Sequence, residues 1–179
     1  MITAWRIAPE QWAATAFDGE GARLHGGRWN SPGKSAVYLA DTRALAALEM
    51  LVHLNPAIAA LRYQMIEVSF PPSLVQSIDL APLGDALTSP SVRPATQHAG
   101  DTWLNEAAAP VLQVASTVIP EEPNYLLNPK HPNFSEIKIG VARPFAVDPR
   151  LISKSDQPEI APSILNKQQT TNNSFRLPV

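Results

Sequence analysis

HGGRWNSPG (25–33), SAVYLA (35–40) and RALAALEMLVHL (43–54) follow one another almost without a gap. The first carries three glycines, a proline and an arginine and cannot be regular structure. The second alternates Val37 and Leu39 against Tyr38, as a short strand does. The third is rich in Ala and Leu and predicts a helix. Asp41 or Thr42 is suited to cap its start, and Asn55-Pro56 to close it. Its surface is apolar almost all round, so it is expected to be buried on several sides.

Outward from this block the chain reads as mixed α and β. Residues 1–33 form an N-terminal arm and a glycine-rich loop. RYQMIEVSF (62–70) sets Ile66, Val68 and Phe70 against Glu67 and Ser69, a strand ended by Pro71-Pro72. Residues 73–100 read as irregular, 101–108 as a short helix and 111–118 as a strand running into the loop 120–123. Ile137, Ile139 and Val141 alternate with polar positions in another strand, and 145–147 forms the last. Beyond Leu151 the chain turns to Ser, Thr, Asn and Gln without periodicity, so 152–179 reads as a disordered tail or an extension foreign to the domain. The expected organisation is α+β: one mixed domain over 1–151, with short strands around a buried helix.

Bulk properties narrow the chemistry. The 179 residues hold no cysteine, which removes disulfides, iron–sulfur clusters, thiolate metal sites and cysteine nucleophiles. Net charge is −2, so no basic face for nucleic acid is implied. Charged residues are 17%, below the roughly 25% of soluble domains, which predicts apolar surface facing a partner. MITAWRIAPEQW lacks the apolar core of a signal peptide, and no run approaches a membrane span. A cytoplasmic protein without a membrane segment is expected.

Four residues stand out. Glu49 lies on a stripe with Leu45, Leu48 and Val52, where an ionised carboxylate is costly unless paired. It either reaches solvent or an arginine at the edge, or is kept for catalysis or a partner. Arg28 in its glycine loop suits bidentate binding of phosphate or carboxylate, or braces a turn. The loop matches neither the dinucleotide fingerprint nor a Walker motif. Tyr38 sits ahead of the helix, as a functional side chain or as a core tyrosine. Ser116 has no hydrolase elbow around it. His53 follows Glu49 by one helical turn, but a third ligand and the HExxH pattern are missing, and His25, His98 and His131 are scattered. No metal site is expected.

Taken in order, these segments resemble the RES domain family. Trp5-Arg6-Ile7 resembles its opening strand. Gly26-Gly27-Arg28-Trp29-Asn30, Ala36-Val37-Tyr38-Leu39-Ala40 and Ala46-Ala47-Leu48-Glu49 follow its pattern and spacing. Gly100-Asp101-Thr102-Trp103-Leu104 resembles its central motif. Ser116, Pro120-Glu121, Asn124-Tyr125-Leu126-Leu127-Asn128-Pro129 and His131-Pro132 resemble its C-terminal core, and Asp148-Pro149-Arg150-Leu151 its end. Ala115 stands where proline is expected before the serine, and the tail has no counterpart.

The resemblance implies a fold similar to ADP-ribosyltransferases and a toxin that cleaves the nicotinamide–ribose bond of NAD⁺, with water or phosphate as acceptor. Alternatives are an ADP-ribosyltransferase acting on a protein, a catalytically inactive module that binds an antitoxin, and a metal-dependent hydrolase using His53 and Glu49. Carried over, Arg28 holds the phosphates or ribose with Arg6 as helper. Tyr38 packs on the nicotinamide side, Glu49 stabilises the ribosyl cation, and Ser116 bonds nicotinamide or ribose. NAD⁺ is then substrate, no metal is needed, and the partner is an Xre-like helix-turn-helix antitoxin, in a complex with room for a homodimer.

Overall fold

The structure is a computed structural model and is described for residues 1–52, 61–78 and 93–151. A first compact unit spans Met1–Ala146, and the second, Val147–Val179, is described only as far as Leu151. The expectation for 152–179 and the end of the helix at Asn55-Pro56 lie outside the described residues.

The first unit is a mixed α and β fold whose described residues form an eight-stranded sheet. Its strands are β1 (Ile2–Pro9), β2 (Val37–Ala40), β3 (Tyr63–Phe70), β4 (Val75–Ser77), β5 (Val111–Ala115), β6 (Pro123–Leu127), β7 (Lys138–Ile139) and β8 (Arg143–Phe145). They lie in the order β4-β5-β6-β2-β1-β3-β7, with β8 also paired to β3. Among the described residues β4 and β5 run parallel and the other pairs antiparallel. Among the described residues the α-helices are α1 (Glu20–His25), α2 (Arg43–Leu51) and α3 (Arg93–Glu106).

Register sorts the strand residues onto two faces, because directly paired residues point the same way. On the first face, Ala4, Val37, Leu39, Val68, Phe70, Val111, Tyr125 and Leu127 form the larger core, with Phe17 and Phe134 packed over it. Phe70 meets Tyr125 edge-on with centroids 5.4 Å apart. On the second face, α3 and α2 cover neighbouring regions. Trp103 of α3 packs with Trp29, Leu112, Val114 and Leu126. Leu45 and Ala46 of α2 pack with Ala40, Trp5, Ile7 and Ile119.

Several elements depart from the sequence expectation. α2 is capped as expected, with Thr42 Oγ1 accepting from Leu45 N at 3.0 Å. It is not wrapped by core, however: Leu45 and Ala46 are its buried residues, while Leu48 and Val52 are 38% and 59% exposed. An all-round apolar composition here marks a helix lying on one side of a sheet with apolar surface left over. α3 begins at Arg93, eight residues before its expected start at Asp101, with Pro94 at a position where its missing N–H is not needed. Gly100 hid this helix, yet a Cβ there would overlap the backbone carbonyl of Trp29. β6 was not anticipated, since Pro123 and Asn124 are poor strand formers. Strand β5 stops at Ala115, leaving Ser116 just beyond it. The expected strand around 137–141 is reduced to Lys138–Ile139, and the last lies at Arg143–Phe145.

Gly100→Ala forces backbone apart where α3 meets the loop and should cost about 1–3 kcal/mol. Gly21→Ala in α1, with nothing within 4 Å of the added Cβ, should stabilise by about 0.5–1 kcal/mol. Urea unfolding of both variants checks the pair, and equal midpoints would contradict it.

Candidate active site

The junction between β2 and α2 is tied down before the helix begins. Asp41 N donates to Pro123 O at 3.2 Å, and the buried Tyr125 hydroxyl donates to Asp41 Oδ1 at 3.1 Å. Burial, reinforced by the neighbouring Asp41 carboxylate, pushes the Tyr125 hydroxyl up to about 12, so it stays a donor. With Leu45 and Ala46 seated on the sheet, the next turn brings Glu49 over β6 and the end of β5.

Glu49 is half-buried, and two neutral donors meet on one of its oxygens. Ser116 Oγ donates to Oε1 at 2.7 Å and Asn124 Nδ2 donates to the same atom at 2.5 Å. Among the described residues no hydrogen bond reaches Oε2. Ser116 is fully buried and its hydroxyl oxygen accepts from Val118 N and Ile119 N, each at 3.0 Å. Those two bonds turn the chain out of β5 and direct the hydroxyl proton towards Glu49. The stripe reading of Glu49 therefore resolves to a carboxylate paired with neutral donors.

The loop carrying Arg28 is braced from two sides. From β2, the Tyr38 hydroxyl donates to Asn30 Oδ1 at 2.7 Å and accepts from Trp29 N at 3.0 Å. Burial raises the pKa of this hydroxyl, which keeps it protonated in both roles. A Cβ at Gly27 would overlap the Tyr38 hydroxyl, so that glycine is needed for the approach. From α3, Thr96 Oγ1 donates to Arg28 O at 2.7 Å, Gln97 Nε2 to Gly27 O at 2.9 Å, and Asp101 Oδ1 accepts from Ser31 N at 2.9 Å. Buried Asn30 closes the loop on itself, its Nδ2 donating to Ala22 O and Lys34 O at 2.9 Å each. The backbone that carries Arg28 is fixed, and its side chain is half-buried.

Arg6 takes a different position. Its strand partner is Ile66, which places it on the sheet face opposite Trp5 and Ala40. Its guanidinium lies over Phe17, 5.9 Å from the ring centroid, and Nη1 donates to Tyr38 O at 2.9 Å. Nε is buried with no hydrogen bond. Burial lowers its pKa to about 10, partly offset by Asp18, so the group is still a cation at neutral pH.

The fold thus joins Glu49 directly to Ser116, and the Arg28 loop directly to Tyr38. The two groups share the second sheet face. Asn124 faces Ala40 across the β2–β6 pair, and Tyr38 is the diagonal neighbour, at a spacing of roughly 7–8 Å between α-carbons. Among the described residues Arg6 reaches this assembly through the Tyr38 carbonyl. Sequence reasoning gave no role to Asn124, Thr96, Gln97 or Asp101. Asn124 left one trace, an amide side chain within a strand otherwise apolar up to Leu127. His53 lies outside the described residues. His131 serves the backbone, with Nε2 at 2.9 Å from Ala107 O and Nδ1 accepting from Asn133 N at 3.0 Å. Among the described residues no group of three His, Asp or Glu side chains could hold a metal ion.

A carboxylate with one loaded oxygen, on the same sheet face as a braced loop that carries an arginine, has the chemistry to stabilise a cation, and the arginine to bind an anion. Comparison with known proteins points to the same family. The family model for the RES domain matches residues 3–148. A Sphingobium sp. (strain YBL2) protein named Prs ADP-ribosylating toxin is 36% identical over 156 residues, covering 84% of this chain and 97% of its own. Toxin Res of Yersinia enterocolitica is 33% identical over 148 residues, covering 82% and 97%. Among solved structures, a chain of the M. tuberculosis MbcT–MbcA toxin–antitoxin complex shares the fold, with TM-score 0.66 and 17% identity over 80% of this chain and 84% of that one. With the match running from β1 to just past β8, this chain belongs to the RES domain family.

Proposed function

We propose that this chain is the toxin of a toxin–antitoxin pair and that it breaks the nicotinamide–ribose bond of NAD⁺. The observation that carries the reading is Glu49: an acid on the sheet face shared with the Arg28 loop, with Oε1 bonded to two neutral donors and Oε2 free of hydrogen bonds from described residues. Relatives named Toxin Res and Prs ADP-ribosylating toxin support it.

The chemistry follows from charge. In NAD⁺ the pyridinium nitrogen is already cationic, so when its bond to the ribose carbon breaks, the electron pair neutralises the leaving nicotinamide. Positive charge moves onto the ribose, and no acid is needed for the leaving group. Glu49 stabilises that charge through its carboxylate, an interaction gained as the transition state forms. Arg28 is assigned to the pyrophosphate or ribose, where a planar guanidinium makes paired hydrogen bonds. Tyr38 fixes the loop and borders the nicotinamide side. Ser116 holds Glu49. With water as acceptor the products are nicotinamide, ADP-ribose and a proton; with phosphate, the phosphorylated sugar replaces ADP-ribose.

A second reading has a specific support. The relative named an ADP-ribosylating toxin points to a protein side chain as acceptor, attacking the same ribose carbon. Mass spectrometry of the products formed with phosphate, without it and with cell protein separates the three acceptors. The proposed partner is an Xre-like helix-turn-helix antitoxin, which carries DNA binding while this chain, net charge −2, does not. The reading implies a cytoplasmic location, where NAD⁺ and such a partner would be met.

In bacteria expressing the full chain without a partner, cellular NAD⁺ should fall and growth stop. Glu49→Gln, nearly isosteric, should lower NAD⁺ turnover by about 100- to 1,000-fold with soluble protein retained. NAD⁺ levels measured beside soluble yield check both, and a Glu49→Gln protein as active as the parent would remove the carboxylate from the mechanism. Tyr38→Phe leaves Trp29 N and Asn30 Oδ1 without their partner, so stability should drop by about 1–3 kcal/mol. Its KM for NAD⁺ should rise more than its kcat falls; steady-state kinetics with a melting curve tests this, and unchanged values in both would contradict the bracing role.

A further inference from the structure

Asn124 is the residue of this site that the motif reading left without a task. It lies on β6, opposite Ala40 on one side and Val114 on the other, at positions where small or β-branched apolar side chains fit a pleated sheet best. Its amide is turned so that Nδ2 meets Glu49 Oε1 at 2.5 Å. The reverse orientation would set a carbonyl against a carboxylate. The chosen orientation leaves Oδ1 buried with no hydrogen bond. A side chain kept for packing alone would avoid that unpaired oxygen.

We propose that Asn124 is a positioning residue for Glu49, acting with Ser116 to hold Oε1 and so present Oε2 to the reacting sugar. The chemistry of the amide suits the task. A carboxylate that stabilises a cation must stay ionised and fixed in place. A lysine or arginine at position 124 would hold it but would cancel the charge that the ribosyl cation needs. A neutral N–H donor holds it and leaves the charge intact. Two donors on one oxygen, from β6 and from the turn after β5, also restrain rotation of the carboxylate about its terminal bond. The donor from Ser116 is itself pinned by Val118 N and Ile119 N, whereas Asn124 is fixed by the sheet. The inference rests on the proposed NAD⁺ cleavage, because it concerns the orientation of the acid that the reaction uses.

The test is Asn124→Ala in the full chain, with nicotinamide release followed against NAD⁺ concentration. The expected result is a kcat lower by roughly 10- to 100-fold, the worth of one hydrogen bond to a charged group, with KM within about twofold of the parent. In the Glu49→Gln background the same substitution should cause no further loss, since there is no carboxylate left to position. A full kcat in Asn124→Ala, or equal losses in both backgrounds, overturns the proposal. If Asn124→Ala fails to fold, Asn124→Asp keeps the shape and sets a second carboxylate on Oε1. Its kcat should fall at least as far, and a parental kcat would overturn the proposal. A stability cycle of Asn124→Ala and Glu49→Gln reads the contact without activity. Non-additive Tm shifts are expected, and additive shifts overturn the contact. Parent protein that releases no nicotinamide overturns the NAD⁺ reading instead, and the stability cycle still decides whether Asn124 holds Glu49.

Discussion

The hydrogen bond from Ser116 to Glu49 joins residues 67 positions apart and ties the turn after β5 to the last turns of α2. A half-buried carboxylate needs donors, or the cost of removing it from water falls on the fold. Here the donors are neutral and come from the sheet beneath. That requirement explains why β5 ends at Ala115, why the next residue is a serine with its oxygen already used by two backbone N–H groups, and why β6 carries an amide at a position suited to a small apolar side chain. α2 is seated on the sheet by Leu45 and Ala46 and leaves Leu48 and Val52 exposed, while the same helix carries Glu49 over this place.

The Arg28 loop obeys a second constraint. An arginine that grips a phosphate or ribose gains specificity only if its backbone is already in place, since ordering a glycine-rich loop on binding costs entropy. Tyr38 supplies one brace and α3 the other. Apart from the Tyr38 bond to the Asn30 side chain, these contacts sit on backbone atoms of residues 27–31. Tyr38 also ties the loop to the other sheet face: its hydroxyl belongs to the loop, and its carbonyl receives Arg6.

What was legible in the sequence was what has a strong local signal. The alternation in SAVYLA and in residues 63–70 is a property of single strands buried on one side, and it survives in β2 and β3. A cap at Asp41 or Thr42 was legible, and Thr42 supplies it. The missed elements are those whose residues answer to distant partners. Gly100 reads as a helix breaker until the carbonyl of Trp29 is seen against it. Pro123 and Asn124 read as loop until β5 and β2 flank them. Glu49 and Ser116 could be singled out, one by its place on an apolar stripe and the other by family resemblance, but not that they touch. Ser116 is expected at the substrate from the resemblance; in the structure its proton goes to Glu49 and its oxygen accepts from Val118 N and Ile119 N. No periodicity encodes a contact across 67 residues.

The most direct measurement is a crystal structure of the full chain bearing Glu49→Gln, soaked with NAD⁺. The account predicts the ribose carbon that bears nicotinamide beside the free end of residue 49, the nicotinamide side near Tyr38, and a phosphate or ribose oxygen on the Arg28 guanidinium. NAD⁺ bound away from residue 49, or with its adenosine end there and nicotinamide in solvent, would contradict it.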